Sequence, residues 1–212
     1  MSLTPEKALI FRIVHRDNLP WILDNGIHAC TGEKLDPNFR GIGNPDLIGK
    51  RSRRAVPTGS RGTLADYVPF YFTPFSIMMY NIKTGYGGIP QIPNEEIVIL
   101  VSSLRKVSEL GIPFVFTDRH AYVVMASYFT DLDDLDQIDW ALLNTRDFRN
   151  DPNDPGKKER YQAEALVWKC VPLDAIMGIG CSSSAVKDWV DRQIQQRGLN
   201  IKTTVQANWY FR

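Results

Sequence analysis

Short apolar runs dominate the chain, and long helical stripes are rare. Residues 8–14 (Ala-Leu-Ile-Phe-Arg-Ile-Val) predict a strand. Asp17-Asn18 then offers a helix cap, with Pro20 in the first turn, apolar Leu19, Ile22 and Leu23 following, and Gly26 as the stop. Residues 67–73 (Tyr-Val-Pro-Phe-Tyr-Phe-Thr) are aromatic and extended, and Pro69 implies an edge position or a bulge. Residues 97–101 predict a buried strand, followed by a short helix carrying Leu104, Val107 and Leu110 that ends at Gly111. Residues 113–117 predict another strand, ending at Asp118-Arg119-His120. A helix with acidic residues at its start fits 131–143, a mobile loop fits 147–160, and strands fit 161–169 and 176–180. Ser184 can cap a helix bearing Val186, Trp189, Val190 and Ile194 and closed by Gly198, and a strand over 201–211 ends the chain. Strands outnumber helices and do not alternate with them, which predicts an α+β fold with a mainly antiparallel or mixed sheet.

Residues 30–63 break the pattern. Six glycines and three prolines interrupt them, with room for one short helix near Pro45–Arg54. An excursion of this length inside a compact domain is usually functional or disordered. It also carries Lys50, Arg51, Arg53, Arg54 and Arg61. This local basic cluster matters because the net charge of the 212-residue chain is only +1, too small to point to a partner.

Composition narrows the chemistry. Hydrophobic content of 43% and charged content of 23% suit a folded domain, and the length suits a single one, 1–212. Cys30, Cys170 and Cys181 are odd in number and far apart, which speaks against a disulfide framework or a Cys-x-x-Cys metal site and fits a reducing cytoplasm. No signal peptide is expected from the N-terminal residues, and no apolar run approaches the ~18 residues of a membrane span. No P-loop, Rossmann fingerprint, His-Glu-x-x-His or Gly-x-Ser-x-Gly motif occurs, so neither a metal nor a serine nucleophile is expected to carry a reaction.

Several side chains stand out against their surroundings. Strand alternation over 161–169 puts Gln162, Glu164, Leu166 and Trp168 on one face. Glu164 is then either a catalytic group aimed into a cleft or a solvated carboxylate at a strand end. Arg51 offers a rigid fork for phosphate or for charge stabilisation, or it belongs to a solvated basic loop. Arg12 interrupts an apolar strand and needs a partner, either a ligand's pyrophosphate or ribose or a structural ion pair. His120 follows a strand end, and Tyr67, Phe70, Tyr71 and Phe72 could stack on a base or simply form core.

These pieces occur in one order: Phe11-Arg12-Ile13-Val14-His15, Asp17 to Leu23 with Gly26, Arg51 ahead of Val56-Pro57, Asp66-Tyr67-Val68-Pro69-Phe70-Tyr71-Phe72, Pro113 to His120, and Gln162-Ala163-Glu164. The order resembles the DarT family of DNA ADP-ribosyltransferase toxins over nearly the whole chain. The resemblance implies an ADP-ribosyltransferase fold, a split and strongly bent β core with flanking helices and a cleft for NAD. It implies transfer of ADP-ribose from consumed NAD to a base in single-stranded DNA, typically thymidine, without a metal. The same fold acting on RNA or protein is the competing implication. The resemblance also implies a toxin paired with a macrodomain antitoxin that removes the modification, and the chain is expected to be monomeric and cytoplasmic. Glu164 and Arg51 match the catalytic residues. Phe11, Arg12, Ile13, Leu19 and Tyr71 are the expected NAD contacts, although some relatives carry histidine where Arg12 stands. The substrate-recognition stretch is 120–163, with His120 and Arg160 as expected DNA contacts.

Overall fold

The computed structural model describes residues 2–211. An eight-stranded sheet runs in the order β10-β9-β4-β1-β3-β7-β5-β6. Its strands are β1 (Leu9–His15), β3 (Tyr67–Tyr71), β4 (Ile97–Ser103), β5 (Phe114–Thr117), β6 (Tyr128–Phe129), β7 (Glu164–Trp168), β9 (Gly178–Cys181) and β10 (Lys202–Val205). All neighbours are antiparallel except β9 and β10. A two-stranded ladder joins β2 (Ile27–His28) to β8 (Cys170–Val171). The helices are α1 (Leu19–Asn25), α2 (Pro45–Arg51), α3 (Ile77–Thr84), α4 (Leu104–Glu109), α5 (Trp140–Thr145), α6 (Lys157–Arg160) and α7 (Ser184–Gln195). Among the described residues no helix is long and apolar enough to cross a membrane.

The sheet comes apart in its middle. β1 matches β4 through seven residue pairs, and β3 matches β7 through five, but β1 meets β3 only at Phe11 and Tyr71. This split explains Pro69, which sits in an interior strand opposite Leu166. In an extended strand the N–H and C=O of one residue point to the same side. The Pro69 carbonyl points toward β1, where it accepts a hydrogen bond from Arg12 Nη1 at 2.7 Å. The missing N–H therefore falls on the side where almost no ladder exists, and the strand tolerates proline as an edge would.

Two apolar clusters hold the sheet. In β7, Ala165 and Val167 face the main cluster, whereas Leu166 joins a smaller one with Val56, Leu64, Tyr67, Val115 and Ala121. The predicted alternation is thus present, and Glu164 lies on the Leu166 face. The excursion covers that smaller cluster by folding back on itself through an Ala55–Thr63 bridge. At the far end, the Trp209 ring occupies the space beside Gly180. A Cβ on Gly180 would stand only 2.5 Å from that ring, so any side chain there would displace it.

Four boundaries differ from the sequence reading. The strand predicted over 161–169 starts at Glu164, because Tyr161, Gln162 and Ala163 close turns off α6. The loop expected over 147–160 is pinned rather than free: Lys157 and Arg149 pair with Asp147, and Arg160 pairs with Asp154 and Asp139. The helix predicted over 131–143 is a 3-10 segment, Leu132–Gln137, followed by α5; Ile138 is extended between them and Asp139 recaps on the Leu142 N–H. The terminal strand stops at Val205, and the chain turns so that Trp209 and Tyr210 enter the core. The α3 helix is an addition to the expected elements: Ser76 caps it through the Met79 N–H, and Gly85 ends it in the left-handed region.

Candidate active site

The first residue of β7, Glu164, lies beside the split, paired in register with Tyr71, which in turn pairs with Phe11. Its side chain is 2% exposed, so it is no solvated strand-end carboxylate. Three groups hold it. Arg51 Nη1 donates to Oε2 at 2.8 Å, the Ala121 N–H donates to Oε1 at 3.0 Å, and His120 Nδ1 lies 3.6 Å from Oε1. Burial alone would push the carboxyl pKa up, but Arg51, His120 and the Ala121 amide outweigh it, and the pKa lies below its ordinary value. The carboxylate is therefore anionic at neutral pH. His120 Nδ1 also lies 3.1 Å from the Tyr122 nitrogen and accepts its N–H when the ring is neutral, so His120 supports the carboxylate only in its protonated form.

Arg51 reaches this carboxylate from the last turn of α2, across 113 positions of sequence. The helix is set by Asn44, whose side chain accepts from the Leu47 N–H, and by Pro45 at its first position. Among the described residues Arg51 Nη2 has no partner, and neither do Arg12 Nε and Arg54 Nε, although all three atoms are buried. Arg12 makes no ion pair with a carboxylate among the described residues; its one hydrogen bond goes to the Pro69 carbonyl. Burial drives its pKa down to about 10, with Cys30 and Tyr71 opposing and Arg51 adding to the shift. Tyr71 is likewise pushed up by burial first and by Glu164 second, with Arg51 and Arg12 opposing.

Two like-charged guanidiniums near each other, with donors left over in a desolvated place, are costly unless an acceptor-rich anion completes the site. The pyrophosphate and ribose oxygens of a dinucleotide are such acceptors, so the residues present fit NAD. Among the described residues no group of three His, Cys, Asp or Glu side chains is arranged to hold a metal.

The other expected contacts are placed differently. Phe11 and Leu19 are wholly inside the main core, Phe11 edge-on to Trp209, so contact from either would run through the backbone. Ile13 is half-buried against the same core. Arg160 lies away from the pair: its guanidinium is forked onto Asp154 at 3.0 and 2.7 Å and also reaches Asp139. These bonds, led by Asp154, raise its pKa further. Sequence reasoning missed the Ala121 amide, Arg54 and Tyr128. A backbone donor leaves no residue-type signal, but Arg54 carried one as a second basic residue three positions after Arg51. A cavity of about 670 Å³ between α3 and residues 145–150 is lined by Phe75, Tyr80, Arg146, Phe148, Lys158 and Phe211 among others, and includes neither Glu164 nor Arg51.

A split antiparallel sheet with a glutamate–arginine pair at the split has the architecture of an ADP-ribosyltransferase. A family model described as "ssDNA thymidine ADP-ribosyltransferase, DarT" matches residues 11–211. The chain is 56% identical over 210 residues to a DNA ADP-ribosyl transferase of Escherichia coli O127:H6, covering 99% of this chain and 96% of the relative. It superposes on Thermus sp. 2.9 DarT in complex with ADP-ribosylated single-stranded DNA with a TM-score of 0.90 at 33% identity, covering 100% of this chain and 99% of that one. The same Thermus protein in complex with NAD+ gives a TM-score of 0.84 at 35% identity, with coverage of 98% and 99%. The chain belongs to the DarT family.

Proposed function

We propose that this protein is the toxin of a toxin–antitoxin pair and transfers ADP-ribose from NAD to a thymidine base in single-stranded DNA, releasing nicotinamide. The observation that carries the reading is the buried Arg51–Glu164 pair, ringed by unpartnered guanidinium donors, at the split of the sheet. Family membership and the NAD+ and ADP-ribosylated DNA complexes of the Thermus relative support it. The whole chain, 1–212, is read as one ADP-ribosyltransferase domain working as a cytoplasmic monomer, with a macrodomain antitoxin as its partner.

Bound NAD supplies the ribosyl group and a leaving nicotinamide. Arg12 and the free Nη2 of Arg51 are assigned to its phosphate and ribose oxygens. Glu164, already ionised, accepts a ribose hydroxyl and stabilises the positive charge that grows on the ribose as the glycosidic bond weakens. The Arg51 guanidinium offers N–H donors and no acceptor, so it cannot serve as a base. Its role is therefore electrostatic: it orients the Glu164 carboxylate and faces negative charge on NAD or on the acceptor base. The 120–163 stretch is assigned to DNA. His120 can touch the acceptor, and Arg160 serves by bracing this stretch through Asp139 and Asp154.

The test is mass spectrometry of short single strands, each differing in one base, after incubation with NAD. A thymidine-containing strand is expected to gain the mass of one ADP-ribose, and Glu164→Gln to lose that product. Transfer to protein alone, or to RNA in preference to matched DNA, would sink the reading.

A further inference from the structure

The Ala121 peptide is held at both ends. Its N–H donates to Glu164 Oε1, and its carbonyl accepts the Tyr128 hydroxyl in a short hydrogen bond. Two residues further on, the Val123 carbonyl accepts from Arg54 Nη2 at 3.1 Å. Arg54 also lies beside the Tyr128 hydroxyl, close enough to oppose the upward push that burial gives that phenol. The Arg54 N–H donates to the Arg51 carbonyl, so the clamp begins one turn beyond the residue that holds the other carboxylate oxygen. The loop from 118 to 128 is shaped within itself by Ser127 N–H to Asp118, Val123 N–H to the His120 carbonyl and Ala126 N–H to the Val123 carbonyl, and it is tied to α6 by the His120 N–H donating to the Glu159 carbonyl and to β5 by Tyr128 pairing with Thr117. Among the described residues Arg54 is thus the side chain that hydrogen-bonds this loop to the excursion carrying Arg51, beside the apolar packing of Ala121 with Val56.

Such a link has chemical weight because of where Glu164 sits. A carboxylate oxygen that loses a donor in a nearly dry place keeps the full cost of its lost hydration. It must then rotate toward another donor or take up a proton, and either change removes it from the pose in which Arg51 meets Oε2.

We propose that Arg54 and Tyr128 are positioning residues for the transfer reaction: they hold the Ala121 peptide so that its N–H fixes the orientation of the Glu164 carboxylate. The inference rests on the reading of Glu164 as the catalytic carboxylate. It makes the excursion and the substrate stretch a single unit, because one arginine pair, Arg51 and Arg54, sets both oxygens of the same carboxylate, one directly and one through a loop.

The experiment uses the full chain with Tyr128→Phe, which removes one hydroxyl, and with Arg54→Ala and Arg54→Lys. Loss of one hydrogen bond that acts only through orientation should lower kcat roughly tenfold. The KM values for NAD and for a thymidine oligonucleotide should stay within about twofold, as expected when ground-state binding is untouched. Arg54→Lys, which keeps a cation able to reach the Val123 carbonyl, should recover most of the loss. Amide hydrogen exchange in the free protein should speed up over 118–128 and stay unchanged elsewhere. Unchanged kcat, a rise in KM with kcat preserved, or loss of protection across the whole chain would overturn the proposal. If Arg54→Ala does not fold, Tyr128→Phe alone decides. A wild-type protein that modifies no oligonucleotide refutes the function instead; the positioning then stands if Tyr128→Phe speeds exchange over 118–128 and falls if it does not.

Discussion

At the scale of single residues, the decisive contrast is between two terms acting on Glu164. Burial disfavours its charge, while Arg51, His120 and the Ala121 amide favour it, and the second set wins. Since its pKa is lowered by folding, wild-type Glu164 adds stability above the unfolded value, about 4.3. That stability drains away as pH falls through the folded value. Arg51→Met should invert the sign. With the cation gone, burial dominates, the pKa rises above the unfolded value, and the carboxylate becomes a penalty at neutral pH that acid relieves. Breaking one side of a buried pair costs about 3–5 kcal/mol. Urea unfolding at pH 7 should show a loss of that order, shrinking toward pH 5, where the wild type changes little. A loss independent of pH would show that the two groups are not coupled. The pair itself was half legible. Alternation put Glu164 beside Leu166 on one face of a strand, but no pattern joins it to an arginine 113 positions away. Only the resemblance to a family placed Arg51 with it.

At the scale of elements, the excursion is the part whose order has to be explained, since it lacks a hydrophobic period. One side chain does much of the fixing. Asp66 Oδ1 accepts from Thr31 Oγ1 and from Lys169 Nζ, and Oδ2 accepts from the Thr63 N–H and Oγ1 at 2.7 and 2.9 Å. It thereby ties both ends of the excursion to the start of β3 and the end of β7. Gly62 belongs to the same knot: it has φ +73°, and a Cβ there would stand 2.7 Å from Asp66 Oδ2. The bonds to Lys169 first, then Thr31, hold the Asp66 pKa well below the ordinary range. Its contribution is thus present at neutral pH and lost in acid. Asp66→Asn keeps the shape but halves the acceptors, at a cost of about 1–3 kcal/mol. Limited proteolysis should then cut faster within 32–43, and an unchanged cleavage rate would mean that Asp66 is not the tie. The same scale shows what the pattern of residues could reveal. Strands β1, β4 and β5 and helix α7 follow apolar spacing and fall where expected. α6 is only four residues long and polar, so its order comes from Asp147, Asp139 and Asp154, which no hydrophobic period announces. Pro69 signalled an edge, and its physical basis was right even though the strand is interior, because the split supplies the edge.

At the scale of the whole molecule, a net charge of +1 gives no general attraction for DNA, so any affinity must come from where the cations are placed. Arg51 is committed to Glu164, and Arg54 to the Val123 carbonyl, whereas Lys50, Arg53 and Arg61 of the same segment are exposed. All three belong to the excursion that carries Arg51. If they meet phosphates, each contact on a single strand adds about 0.7 to the slope of log affinity against log salt, giving a magnitude of roughly two. Replacing all three with alanine should flatten that slope to near zero and weaken binding alike for every base sequence, because phosphate contacts carry no base information. In the proposed mechanism Glu164 meets the reacting ribose and no DNA phosphate, so Glu164→Gln should leave the slope as it is. Fluorescence anisotropy of a labelled single strand between about 50 and 200 mM salt, the range over which such contacts are resolved, separates the outcomes. A slope unchanged in the triple variant would move the DNA path off the excursion and onto the 120–163 side of the cleft, where Lys158 is the next cation to replace.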